Sequence, residues 1–307
     1  MPTMRAILVG AVDSSQVALE ALARSSGWTV AAVVTLDQGL NGRHSDFVDL
    51  GPAAAKAGCP VIRVDNINRD AALSAIGAVV ADYIFVIGWS QICGPHFLDL
   101  AKDRVIGYHP TALPRMRGRA AIPWTILNDE PITAGTLFWI DHGTDTGDVL
   151  DQQYFHVAPD ETAATLYAKH MEALSAMLDR SLPALADGRT PRRQQNEACA
   201  TWTARRTPAE GRIDWSAPAE NVLRLIRASG RPYPGAFTQL GETPLQIWAA
   251  SYAPLGNRHC ARPGQVLETC NDGFTVMCGA NTAIMVTDWS GASQTPRRHA
   301  LLGAAER

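Results

Sequence analysis

The stretch Tyr83-Ile-Phe-Val-Ile-Gly88 decides the fold class. It is a near-continuous apolar run closed by glycine, which is typical of a strand buried on both faces of a parallel sheet. A second run of this kind, Arg5-Ala-Ile-Leu-Val-Gly10, lies near the start of the chain. Helix-like segments at residues 15–23 and 70–80 separate such strands. This alternation predicts an α/β domain whose mainly parallel sheet is covered by helices on both faces.

Other parts of the first half extend the pattern. Further strands are predicted at residues 28–35, 61–64 and 105–109. Residues 135–141 and 148–157 flank a turn rich in glycine and aspartate, and their adjacency predicts a local antiparallel pair. Residues 162–185 carry an apolar stripe at helical spacing, which predicts a long helix packed on the sheet.

The second half differs in composition. Residues 188–208 are polar and rich in arginine and turn residues, which indicates a boundary. A helix is predicted at residues 217–228, followed by short strands at close spacing, a pattern that favours a small β-barrel. We therefore expect a catalytic domain over residues 1–188, a linker over 189–208 and an OB-like β-barrel over 209–307.

Composition restricts the partners that can be expected. The chain of 307 residues has a formal net charge of −3, so it lacks the overall positive field that gathers nucleic acid or anionic lipid. It contains no apolar run of membrane-spanning length, and its first residues lack the apolar segment of a signal peptide, so we expect a cytoplasmic protein. The six cysteines are scattered, with no pattern of zinc ligands, and we expect reduced thiols and no metal.

One loop concentrates chemistry-bearing residues. The stretch Gly107-Tyr-His-Pro-Thr-Ala-Leu-Pro-Arg-Met-Arg-Gly-Arg119 begins at the carboxyl end of a predicted parallel strand, where ligands bind in such sheets. The prolines and Gly118 make the loop stiff. The arginines at 115, 117 and 119 could bind an anion bidentately, although a solvated basic loop is equally compatible with the residues. Likewise, His109 could be a structural cap or a reactive imidazole.

A second loop supplies a carboxylate. In Asp141-His-Gly-Thr-Asp-Thr-Gly-Asp148, two glycines bracket Asp145, which indicates a compact turn that fixes the direction of one side chain. An oxygen cage for calcium is the alternative, but the spacing of an EF-hand is missing. Together, His109 and Asp145 suit general acid–base chemistry, since a carboxylate raises the proton affinity of an imidazole and fixes its tautomer.

These two stretches resemble the 10-formyltetrahydrofolate-dependent formyltransferase family. The likeness lies in His109-Pro-Thr-Ala-Leu-Pro-Arg-Met-Arg-Gly118 followed by Gly135-Thr-Leu-Phe-Trp-Ile-Asp-His-Gly-Thr-Asp-Thr-Gly147, and it extends to Tyr233-Pro-Gly-Ala236 and Arg262-Pro-Gly-Gln265 in the second half. The resemblance implies a Rossmann-like formyltransferase domain followed by a β-barrel. It also implies a formyl donor, 10-formyltetrahydrofolate.

The resemblance assigns roles to positions of this chain. His109 and Asp145 match the catalytic histidine and aspartate of the family. The folate is expected to bind to Ile87, Gly88, Trp89, Gln91, Ile92, Cys93, Ile140, Asp141 and His142. The acceptor is expected to contact Tyr108, Pro110, Thr111, Arg115 and Arg117. The expected partner is a small amine acceptor rather than a nucleic acid or a membrane, and a homodimer is compatible with the sequence.

One position departs from the family pattern. Most members have an asparagine two residues before the histidine, where this chain has Gly107. The resemblance implies that this asparagine holds the formyl oxygen in other members, and loss of such a donor costs on the order of 3 kcal/mol in barrier. Amino-sugar N-formyltransferases resemble residues 107–119 most closely, which favours transfer to an amino-sugar nucleotide. Hydrolysis of the formyl donor to formate and formylation of methionyl-tRNA are the alternatives, although residues 209–307 contain no lysine.

Overall fold

A computed structural model describes residues 3–43 and 46–303 of the chain. The chain divides into two compact units. The first unit comprises residues 1–121, 131–156 and 167–204, and the second comprises 122–130, 157–166 and 205–307. The compact units are discontinuous in sequence, since residues 122–130 and 157–166 group with residues 205–307.

The first unit contains a seven-stranded sheet with the order β3-β2-β1-β4-β5-β7-β8. Its strands are β1 (Met4–Val9), β2 (Trp28–Leu36), β3 (Val61–Val64), β4 (Tyr83–Val86), β5 (Val105–His109), β7 (Ile132–Trp139) and β8 (Val149–His156), and the intervening β6 (Arg117–Gly118) lies outside this sheet. The first five strands pair in parallel. β7 runs antiparallel to both β5 and β8. The predicted mainly parallel α/β sheet and its antiparallel pair are thereby confirmed.

Seven α-helices occur among the described residues of the two units. They are α1 (Asp13–Arg24), α2 (Gly51–Lys56), α3 (Asp70–Gly77), α4 (Pro95–Leu98), α5 (Ala121–Leu127), α6 (Ala163–Ala186) and α7 (Ala219–Ser229). The long helix predicted at residues 162–185 corresponds to α6 within one residue at each end.

Both faces of the first sheet are buried. Along β1, Leu8 joins a core cluster that contains Leu22 of α1 and Met177 of α6. The next residue, Val9, points to the opposite face and joins a cluster that contains Ile76 of α3. This alternation, with helices on each side, explains why the strands read as continuous apolar runs.

The second unit contains a five-stranded antiparallel sheet with the order β10-β11-β14-β13-β12. Its strands are β10 (Ala236–Leu240), β11 (Thr243–Ala253), β12 (Val266–Cys270), β13 (Gly273–Met277) and β14 (Ala283–Ser290). Val222 and Ile226 of α7 pack into the core of this unit with Phe274. Leu301 bridges to Gln265, and Leu302 bridges to Leu240, so the C-terminal segment pairs next to both edge strands.

Within the described residues, the helices are all too short or too polar to cross a lipid bilayer.

Candidate functional site

His109 is the last residue of β5 and is buried. Its Nε2 atom lies 2.8 Å from the carbonyl oxygen of Met116. A carbonyl can only accept a hydrogen bond, so Nε2 carries the hydrogen and the neutral ring has its lone pair on Nδ1. The backbone of the following loop thus fixes the tautomer, and Nδ1 is the atom left for chemistry.

Asp145 faces that atom. Its Oδ2 lies 3.6 Å from Nδ1 of His109, and the same oxygen accepts a hydrogen bond of 2.8 Å from the backbone N–H of Gly118. A separation of 3.6 Å is too long for a direct hydrogen bond. The structure therefore brings the two predicted side chains together from different loops, with Nδ1 of His109 facing the carboxylate without a direct hydrogen bond to it.

The loop after His109 is fastened at several points. β6 within it pairs in parallel with β9 (Trp202–Thr203). Gly118 has φ of 108°, and a Cβ atom there would lie 2.5 Å from the carbonyl oxygen of Thr203, so this position requires glycine. The stiff loop predicted from the proline and glycine pattern is held against a strand that the sequence did not suggest.

Two polar side chains, on β7 and β8, bind the backbone of the loop after His109. His109 pairs in register with Thr136 of β7, which in turn pairs with Gln152 of β8. The Thr136 hydroxyl donates to the carbonyl of Thr111 at 2.6 Å, and the Gln152 amide donates to the carbonyl of Leu113 at 3.1 Å. Sequence reasoning missed both side chains, although the polarity of Thr136 within the mostly apolar β7 was a usable signal. Gln152 gave no such signal, because β8 is partly exposed.

Gly107 pairs in register with Phe138 of β7. A Cβ atom at this position would lie 2.9 Å from Cε1 of Phe138 and 3.0 Å from Cγ1 of Ile140. The volume that an asparagine side chain would need is thus filled by apolar groups from the β7 side of the sheet. The departure from the family pattern at this position is therefore built into the packing.

Arg117 was expected to face an anionic acceptor, but its side chain is fully buried. Its guanidinium donates to both carboxylate oxygens of Glu197 and to Oε1 of Gln195. Arg117 in turn lowers the pKa of the Glu197 carboxyl. The difference from expectation arises because residues 195 and 197, in the polar segment assigned as a linker, fold back onto the loop.

Tyr108 also lies away from the His109 side of β5, because successive side chains alternate between the faces of a strand. Its hydroxyl lies 3.0 Å from Nδ1 of His170 on α6. The remaining residues expected to contact the acceptor stay on the loop: Pro110 is half-buried, Thr111 is buried with its hydroxyl donating to the carbonyl of Arg115 at 2.8 Å, and Arg115 is exposed.

The segment expected to contact the folate follows β4. Gly88 has φ of 73°, and a Cβ there would clash with the side chains of Val12 and Ser15. Trp89 has a buried Nε1 atom with no hydrogen-bond partner among the described residues. Its ring and the side chain of Ile140 pack against the same core cluster, so the two expected folate-contacting segments lie on one side of the sheet.

The other residues of this group have varied environments. Ile87 and Cys93 are buried, and burial raises the pKa of the Cys93 thiol to about 12. Gln91 holds the neighbouring loop through the N–H of Ile67 and the carbonyl of Asp65, and Ile92 is exposed. In the second segment, Asp141 accepts hydrogen bonds from the Gly143 N–H and the Thr146 hydroxyl, and His142 is exposed.

An open cavity of about 540 Å³ lies beside β8 in the first unit. Its lining includes Gln152, Tyr154 and Arg193. Gln152 accepts from Tyr154 at 2.9 Å and from Arg193 at 2.7 Å through the same oxygen, while its amide nitrogen supports the loop after His109. The cavity thus adjoins the outer flank of the loop.

Sequence comparison shows two matches. Residues 5–182 match the formyl transferase family, and residues 205–296 match the family described as the formyl transferase C-terminal domain. Together these regions cover most of the chain.

Solved structures with the same fold include three formyltransferases. The N-formyltransferase of Helicobacter canadensis in complex with folinic acid and dTDP-3-aminofucose has 18% identity and a TM-score of 0.69, covering 93% of this chain and 99% of its own. The sugar 3N-formyl transferase WlaRD, solved with dTDP and 5-N-formyl-THF, has 16% identity and a TM-score of 0.68, covering 94% and 98%. Methionyl-tRNA formyltransferase of Clostridium thermocellum has 20% identity and a TM-score of 0.58, covering 81% and 93%.

Proposed function

Because the chain belongs to the formyl transferase family, we propose that it moves the formyl group of 10-formyltetrahydrofolate to the amine of a small acceptor, an amino-sugar nucleotide. The observation that carries this proposal is the approach of His109 Nδ1 to Asp145 Oδ2 at 3.6 Å, at the carboxyl end of a parallel strand. A buried imidazole with one fixed nitrogen and one nitrogen facing a carboxylate is suited to receive and return a proton.

The reaction can be written with these two residues. The acceptor nitrogen attacks the formyl carbon, a new C–N bond forms, and the bond from that carbon to N10 of the folate breaks. Nδ1 of His109 takes the proton that the amine loses, and the carboxylate of Asp145 stabilises the resulting imidazolium. The protonated Nδ1 then returns the proton to the departing nitrogen. Nε2 takes no part, because its hydrogen is donated to Met116.

For the formyl donor we propose the folate-contacting residues expected from the sequence, at 87–93 and 140–142. Trp89 supports this placement, because a buried N–H without a partner costs free energy unless a ligand or water satisfies it. The Helicobacter canadensis structure is a complex with folinic acid, and WlaRD was solved in the presence of 5-N-formyl-THF, which supports a formyl folate as the donor here.

For the acceptor we propose the outer side of the loop after His109. Arg115 and Arg119 are exposed there and can bind a phosphorylated group. The dTDP-3-aminofucose held by the Helicobacter canadensis protein supports a nucleotide-linked amino sugar as the acceptor class. Arg117 is left out of this surface because its side chain is fully buried, and Tyr108 because its hydroxyl points to His170 on the other face of β5.

Three further parts of the proposal concern organisation. We propose that the five-stranded sheet of the second unit closes into an OB-like barrel, and the bridges from Leu301 and Leu302 to residues beside both edge strands support closure. We also keep the division at residues 188 and 208, a cytoplasmic location and a homodimer as proposals.

Hydrolysis of the formyl donor is the second candidate, because Gly107 departs from the family asparagine and water needs no binding site for an acceptor. The missing amide removes a donor to the formyl oxygen in hydrolysis and in transfer alike, so the experiment below decides between them. Transfer to methionyl-tRNA is disfavoured by the absence of lysine from residues 209–307.

The deciding experiment incubates the protein with 10-formyltetrahydrofolate alone and then with pooled amino-sugar nucleotides, while free tetrahydrofolate and formate are followed. Tetrahydrofolate release that depends on an amine, without formate, supports transfer. Formate release without any amine establishes hydrolysis. Absence of turnover in both mixtures, and with methionyl-tRNA, would overturn the proposal.

A further inference from the structure

Arg117 is the largest fully buried side chain in the described part of the protein. Burial of a guanidinium is costly unless its charge and its N–H groups are paired. Glu197 supplies the charge through two contacts, of 2.9 Å to Nη1 and 2.5 Å to Nη2. The ring of the exposed Trp202 covers the group, with its centroid 5.8 Å from the guanidinium carbon. These contacts compensate the cost of burying the Arg117 guanidinium.

The buried Arg117 also orients the side-chain amide of Gln195. Two guanidinium N–H groups donate to Oε1 of Gln195, from Nη2 at 2.9 Å and from Nε at 3.2 Å. Only the amide oxygen can accept these bonds, so the orientation of the buried Gln195 amide is settled by its neighbours. Its NH₂ group must then point in the opposite direction, away from Arg117.

That NH₂ group holds the loop that carries the carboxylate. Its two hydrogens go to the backbone carbonyls of Asp145, at 2.9 Å, and Gly147, at 2.6 Å. Asp145 needs such support, because its φ of 55° lies in the left-handed region, which a non-glycine residue keeps only when its surroundings enforce it. Glu197, Arg117 and Gln195 thus form a chain of contacts that ends on the backbone of Asp145.

We propose that Arg117 and Gln195 are positioning residues, which set the direction of the Asp145 carboxylate toward His109 without touching the substrates. This inference rests on the proposed function, since it assigns the carboxylate a task in catalysis. It assigns the geometry of the Asp145 loop to a residue of the polar segment 189–208, Gln195, and it makes Arg117 part of the support of that loop rather than part of the acceptor site.

The test is a double-mutant cycle on formyl-group turnover. Gln195→Met keeps the size of the side chain but removes its hydrogen bonds, and we expect kcat to fall about 30-fold, with the KM for the formyl donor nearly unchanged. In an Asp145→Asn background, the same substitution should change kcat by less than about 2-fold, because it acts only through Asp145. Arg117→Met should behave like Gln195→Met, and Arg117→Lys should recover part of the loss, since lysine keeps the charge but cannot make the paired contacts.

Gln16→Met is the matched control, because the Gln16 amide lies on the surface of α1 and bonds to Glu20. It should leave kcat and KM at wild-type values. An equal loss of kcat from Gln195→Met in both backgrounds would overturn the proposal and show a general structural role. If the wild-type protein showed no formyl-group turnover, that result would instead contradict the proposed function.

A second measurement does not depend on activity. Hydrogen exchange of the peptide 141–148 should accelerate by about 10-fold in Gln195→Met, while exchange in α6 stays unchanged. Unchanged exchange in this peptide would overturn the positioning role, whatever the reaction proves to be.

Discussion

Nδ1 of His109 faces Oδ2 of Asp145 across 3.6 Å, while the opposite nitrogen of the same ring is held by the carbonyl of Met116. The carboxylate is held in turn by the N–H of Gly118. Each partner is therefore fixed by backbone from the same loop. The two side chains are thus held in place before any substrate binds, which makes the pair a preorganised site for proton transfer.

Removal of either member of the pair should abolish most of the activity. We expect His109→Ala and Asp145→Asn each to lower kcat by a factor on the order of 100, because general acid–base catalysis contributes about that much. Binding of 5-formyltetrahydrofolate, measured by calorimetry, should change little. Wild-type turnover in both variants would show that these residues have other roles.

Trp89 should contribute to binding of the formyl donor. Trp89→Phe keeps the aromatic packing and removes the buried N–H, so we expect the Kd for 5-formyltetrahydrofolate to rise about 5- to 10-fold, the value of one hydrogen bond. The matched control is Trp248→Phe in the second unit, whose N–H donates to Ser290. Equal affinity in the wild type and Trp89→Phe would place the folate elsewhere.

Gly107 should not tolerate a side chain in the wild-type background. Because a Cβ atom would lie 2.9 Å from the Phe138 ring, we expect Gly107→Asn to lower the free energy of unfolding by about 1–3 kcal/mol, as overpacked sites do. Gly107→Asn combined with Phe138→Ala should relieve the clash. Denaturant unfolding of the two single variants and the double variant measures the coupling, and additive losses would contradict the steric explanation.

His170 should make stability depend on pH. Burial, followed by the charge of nearby His109, lowers the pKa of His170 to about 3. The unfolded chain binds a proton near the ordinary pKa of 6.5, which the folded protein does not bind until about pH 3. The free energy of unfolding should therefore fall as the pH is lowered through this window, by about 1.4 kcal/mol per unit.

The comparison for this effect is His170→Gln, which can still accept from Tyr108. Between pH 6.5 and 5, the wild type should lose about 2 kcal/mol more than the variant in denaturant unfolding. Parallel curves for the two proteins would mean that His170 does not contribute to the pH dependence.

Much of the first unit follows from local patterns. The apolar run in β4 and the stripe on α6 predict their burial, because hydrophobic periodicity is set by the geometry of strands and helices. The contact of His109 with Asp145 does not follow from such a pattern, because β7 runs antiparallel to β5 and its last residue, Trp139, pairs with Ile106. Only the resemblance to the formyltransferase family indicates it. The predictions for β4 and α6 depend on residues close together in the chain, whereas this contact does not.

Local sequence patterns could not predict that Gln195 and Arg117 support the loop of Asp145. Gln195 contacts Arg117 across 78 residues, from a segment whose polarity and turn residues indicate an exposed linker. Nothing in residues 189–208 shows which polar side chain turns inward, because burial of a polar group depends on partners that only the fold supplies. The burial of Arg117 was missed for the same reason, whereas the direction of Tyr108 could have been read from strand alternation.

The packing of the Phe138 ring into the space beside Gly107 has an evolutionary consequence. Either substitution alone lowers the stability of the protein. Asparagine at position 107 clashes with the Phe138 ring, and replacement of Phe138 by a small residue leaves a cavity. We therefore expect positions 107 and 138 to be substituted together among relatives. A protein with phenylalanine at 138 can gain asparagine at 107 only through an intermediate that is less stable.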